Sequence, residues 1–151
     1  MSLEQWLRNG WLQPFEATVA GIQKGFQVVD RDISDAQVHG LSSDGRFQHA
    51  YDAALQLTII ALKASGYVVK KGQGHHKRSI DSLRYTLGAP WSTVADHIER
   101  CSRLRGQVVY DEIGVVSDEE ATDLLDAAKQ LRSDVMDWLK MHHSVLLPPG
   151  L

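Results

Sequence analysis

The sequence predicts an all-α fold, a five-helix, mostly up-and-down bundle. Apolar residues recur at spacings of three and four along most of the chain, capping residues precede the periodic segments, and no segment alternates convincingly enough to be a strand. Ser2, followed by Glu4 and Gln5, opens a short helix that pauses at Gly10 and Pro14. Phe15, Val19, Ile22, Phe26 and Val29 then mark one face of an amphipathic helix ending near Asp32. A polar, glycine-bearing loop follows, and its Ser43 or Asp44 is placed to cap the next helix. Arg46 to Ser65 is rich in alanine and apolar on most of its circumference, which predicts a central buried helix stopped by Gly66.

GYVVKKGQG reads as a loop, since YVV is too short to count as a strand. HHKRSIDSLRYTLG then sets Ile80, Leu83 and Leu87 on one face of a third helix, ended by Gly88 and Pro90. The fourth starts at Ser92 and runs through Val94, Ile98, Cys101, Leu104 and Val108. Ser117 and Glu120 form a capping box for the fifth, whose apolar face continues from Leu124 to Leu139.

With 151 residues, 43% of them hydrophobic, the chain reads as one domain, residues 1–151, able to bury a core. The amino-terminal stretch lacks a basic start followed by an unbroken apolar run, and Thr58 interrupts the longest apolar stretch, so neither an export signal nor a membrane span is expected. Cys101 is the single cysteine and has no partner for an internal disulfide, in keeping with a cytoplasmic setting.

Charge is unevenly distributed. Residues 1–62 carry 4 Lys/Arg and 7 Asp/Glu, residues 63–110 carry 9 and 3, and residues 111–151 carry 3 and 9. The basic middle third is either neutralised by the acidic last helix or forms an anion-binding face.

Two clusters are candidates for that face. In RLRGQVVYDE, Arg103, Arg105 and Tyr110 fit a phosphate held by a planar guanidinium with a phenol beside it. They equally fit an ordinary helix end favoured by the dipole, with Tyr110 meeting Asp111 and Glu112. In His75, His76, Lys77 and Arg78, four cationic or potentially cationic groups stand at a helix start, where free N–H groups suit a phosphate; a solvated corner has the same composition. His49, Asp52, Gln56 and Lys63 make a sparse polar stripe on the second principal helix, lining either a cleft or its solvent edge. His97 and Cys101 share a face but lack further ligands, so no metal is expected. Phosphate loop, dinucleotide fingerprint and nucleophile elbow are all absent, and no cofactor is expected.

The order of these features resembles the HEPN superfamily of small helical bundles found beside minimal nucleotidyltransferases and in RNA-targeting toxins. The matching stretches are RFQHAYDAALQLTIIALKASGY, GHHKRSIDSL, RLRGQVVYD and SDEEATDLLDAAKQL, and they lie within a resemblance that covers roughly Phe15 to Leu139. The resemblance implies a homodimer, and either a nucleotide or RNA ligand or docking on a nucleotidyltransferase-type partner in a toxin-antitoxin or related system. Active HEPN ribonucleases share an arginine with a histidine roughly four to six residues beyond it, the histidine serving proton transfer and the arginine the phosphate charge. Here Tyr110 stands five residues after Arg105, and no histidine occurs between Cys101 and Lys140. A phenol with a pKa of about 10 is a poor proton acceptor near neutrality. The expectation is therefore a non-catalytic binding module. The alternatives are a divergent metal-independent ribonuclease, using Arg105 and Tyr110 or borrowing His75 or His76, and a structural dimerisation module.

Overall fold

The computed structural model describes residues 1–72, 74–110 and 115–150, excluding the side chains of residues 108–110. Among these residues seven α-helices occur: α1 (Leu3–Arg8), α2 (Val19–Asp35), α3 (Ser43–Ala64), α4 (His75–Asp81), α5 (Leu83–Thr86), α6 (Ser92–Tyr110) and α7 (Asp118–His142). The molecule is a helical bundle built around α3, whose buried face of alanines, Leu57, Ile60 and Tyr51 packs chiefly on α7 and α2. The small side chains let neighbouring helices approach closely. At Gly25 of α2 an added Cβ would lie 2.9 Å from a side-chain carbon of Ile60.

Local capping chemistry sets the helix starts. Ser2 with Gln5 and Ser117 with Glu120 both form reciprocal capping boxes, as their spacing predicts. Ser42, one residue before the expected caps, accepts from the Gly45 N–H and opens α3. Gly66 ends that helix at a positive φ of 99°.

Three expectations are corrected. Phe15 lies outside α2, because Thr18 caps that helix and Pro14 belongs to the extended segment before it; the helix also runs past Asp32 to Asp35. The third predicted helix is divided at Ser82 into α4 and α5, and the Ser82 hydroxyl donates to the Ser79 carbonyl at 2.6 Å. Finally, YVV is a strand. β1 (Leu12–Pro14) pairs antiparallel with β2 (Tyr67–Val69), Leu12 facing Val69. This ribbon carries a second small core of Leu3, Trp6, Leu12, Leu62 and Val69.

Among the described residues the pairs of the basic middle third stay within it: Lys77 and Arg103 with Glu99, and Arg84 with Asp81 and Asp96. The last helix pairs instead with α2 and α3, through Arg132–Asp30 and Asp118–Arg46. Among the described residues no helix is long and apolar enough to cross a membrane.

Candidate functional site

The site is organised by Tyr51. It sits on the buried face of α3 with 0% exposure, so its hydroxyl needs partners inside the protein. Two other helices supply them: Tyr51 Oη donates to Ser102 Oγ on α6 at 3.2 Å and lies 3.2 Å from His76 Nδ1 on α4. One phenolic proton serves one acceptor at a time. When Tyr51 donates to Ser102, the His76 Nδ1–H donates to Tyr51 Oη, and the lone pair of His76 is left on Nε2. Burial holds the His76 imidazole below its ordinary range; Arg105 and His75 push it the same way, against the opposing charge of Asp52. His76 is accordingly a neutral base at physiological pH.

Arg105 lies three residues beyond Ser102 on α6, nearly one turn on, which brings it to the same side of the helix. Its guanidinium carbon stands 5.3 Å from the centroid of the Tyr51 ring, a cation–π contact. Its Nε is buried without a hydrogen-bond acceptor, and among the described residues Arg105 forms no ion pair within 4.0 Å. Burial raises the carboxyl of neighbouring Asp52, against a 2.9 Å hydrogen bond from Gln48 and the attraction of Arg105. A guanidinium with an unused donor, a neutral imidazole and two hydroxyls thus converge from three helices. Such a group can hold an oxyanion and accept a proton beside it.

A groove of about 340 Å³ is lined by Gln56, Lys63, Tyr67, Lys71 and His75 among others, and His75, next in the chain to His76, is its nearest tie to this cluster. The polar stripe of α3 links the two: Asp52 is coupled electrostatically to Arg105 and His76, while Gln56 and Lys63 form the groove wall.

The two sequence clusters are divided by the fold. His76 faces Tyr51 and His75 faces the groove, whereas Lys77 is exposed and 4.0 Å from Glu99, and Arg78 stacks on Trp11 at 4.7 Å. Arg103 is exposed and paired with Glu99 at 3.2 Å, leaving Arg105 to face inward. The side chain of Tyr110, and Asp111 and Glu112, lie outside the described residues. His97 and Cys101 line a separate recess of about 270 Å³ with Arg100, Glu120 and Asp123. Burial pushes the Cys101 thiol up to about 11, which leaves it unreactive near neutrality.

Sequence reasoning passed over Tyr51 and Ser102. A signal for the first existed: a phenol on an alanine-rich, mostly apolar helix face implies a polar partner reaching it from another element. Comparison with protein-family models, curated proteins and solved structures gave no match, so the site is interpreted from its own geometry.

Proposed function

We propose that the chain is a HEPN-like bundle that binds the phosphate of a nucleotide or of single-stranded RNA at Arg105, with the groove that His75 lines taking a neighbouring nucleotide. The carrying observation is the meeting of Arg105 and His76, from different helices, on the buried Tyr51. The buried, unpaired Nε–H of Arg105 is a donor that a phosphate oxygen reaching it would satisfy. Lys63, Lys71 and His75 in the groove supply further positive or protonatable groups along a strand's path. The mostly helical bundle, with α4 and α5 parted only at Ser82, is compatible with such a reading.

One observation favours a second reading, metal-independent RNA cleavage: the histidine missing five residues after Arg105 has a counterpart in His76. In that reaction His76 Nε2 takes the proton of a ribose 2′-hydroxyl, whose oxygen attacks phosphorus. The bond from phosphorus to the 5′-oxygen breaks, and the departing oxygen takes a proton from water. The products are a 2′,3′-cyclic phosphate and a 5′-hydroxyl.

Fluorescence anisotropy with single-stranded RNA in chelator, followed by end-group analysis of the same samples, tests both. Saturable binding that Arg105→Ala abolishes, with intact RNA, supports the binding module. Cyclic-phosphate ends that disappear in His76→Ala support cleavage. No binding by the parent chain overturns both.

A further inference from the structure

Asp32, Asp35 and His49 form a second cluster, joined to the Arg105 site through the charge of Asp52. Asp32 and Asp35 stand three residues apart in the last turn of α2, and His49 reaches them from α3. One donor atom from each lies within 4.8 Å of the other two, and among the described residues no other group of three or more His, Cys, Asp or Glu meets that condition. We propose that these three residues bind a first-row divalent cation such as Co²⁺, Zn²⁺ or Mn²⁺, leaving coordination positions for water.

Four features support the site. First, the Asp32 side chain is 6% exposed, yet among the described residues its ion-pair partners within 4.0 Å are Arg31 at 3.4 Å, whose own side chain is 65% exposed, and His49 at 3.9 Å. A carboxylate so deeply buried calls for stronger compensation than that. Second, His49 Nδ1 is itself buried and has no hydrogen-bond partner, although it points at Asp32 Oδ1. The gap of 3.9 Å is too wide for a hydrogen bond. It suits two ligands of one ion, because N and O ligands about 2.0–2.2 Å from a metal stand roughly 3–4 Å from each other. Third, one imidazole and two carboxylates are a borderline donor set, suited to first-row divalent ions rather than to thiolate-seeking ones. Fourth, the carboxylates sit at the C-terminal end of α2, where the helix dipole favours a cation.

The cluster was hidden in the sequence because Asp35 and His49 belong to different helices, with a loop between them. His49 was legible only as part of a polar stripe, and it is the packing of α2 on α3 that turns it toward the aspartates.

The test is a Co²⁺ titration of chelator-stripped protein, followed by visible absorption and calorimetry. The expected result is one Co²⁺ per chain, a ligand-field band, and a rise in Tm on binding. His49→Gln and Asp35→Asn should each weaken binding by about 100-fold or more, since both remove a direct ligand. Circular dichroism of each variant verifies that it is folded, and because Asp35 is only half-buried its variant keeps the test open if one at Asp32 does not fold. Arg105→Ala and His76→Ala should bind Co²⁺ as the parent does. Absence of saturable binding would overturn the proposal. So would binding that survives both His49→Gln and Asp35→Asn.

Discussion

Arg105 and Tyr51 are in cation–π contact at 5.3 Å, the guanidinium on α6 lying over a phenol that α3 keeps out of solvent. The contact restrains the guanidinium beside the ring, which lowers the entropy lost when an anion is bound. Arg105→Ala should therefore weaken RNA binding at least about tenfold and flatten its salt dependence by about one phosphate's worth. Arg105→Lys should rescue little of this, because an ammonium has neither the planar fork nor the stacking face. Anisotropy titrations at two or more salt concentrations measure both effects.

His76 gives a stability signature. Burial, with Arg105 and His75, lowers its pKa in the folded state, so the unfolded chain binds the extra proton first as pH falls. The stability tied to its neutral form is present above the ordinary value of about 6.5 and is lost as pH falls through the lower folded value. The parent chain should consequently lose more Tm between pH 7.5 and pH 5 than His76→Gln does. Thermal melts of both chains across that range are the measurement.

Two helical glycines should respond in opposite directions. A side chain at Gly25 meets Ile60, whereas a Cβ at Gly106 meets nothing within 4 Å. Gly25→Val should destabilise by about 1–3 kcal/mol through overpacking between α2 and α3. Gly106→Ala should stabilise by about 0.5–1 kcal/mol, because alanine loses less backbone entropy in a helix. Urea denaturation resolves both.

Self-association is expected from the HEPN resemblance. Trp91 and Trp138 line an apolar recess with Leu87 and the exposed Met141, and the Trp91 indole donates to Asp134 at 3.1 Å. Light scattering at micromolar concentration should give twice the chain mass of 16.8 kDa. Met141→Glu should shift that mass toward the monomer if this face is the contact.

What the sequence made legible was local. Ser2 with Gln5 and Ser117 with Glu120 advertise their caps within four residues, and the alanine-rich run of α3 announces its burial. The ribbon was not legible, because two three-residue segments carry too little alternation and their pairing spans more than fifty positions. The division at Ser82 depends on a single hydroxyl turning back on the Ser79 carbonyl. Arg105 and His76 were visible as residue types, but the phenol that joins them stands 25 positions from His76 and 51 from Ser102. That grouping is a product of helix packing and has no signature along the chain.

The ribbon bears on the order of folding. Pairing Pro14 with Tyr67 closes a loop that contains all of α2 and α3, and three residues per strand offer little to offset the entropy of closing it. Once α2 has packed on α3 the ends of that loop are already close, so the strands should join only after the two helices. The helix that carries His76 begins a few residues beyond β2. Its imidazole is thus expected among the last pieces to lock into place, on a floor of α3 side chains assembled before it.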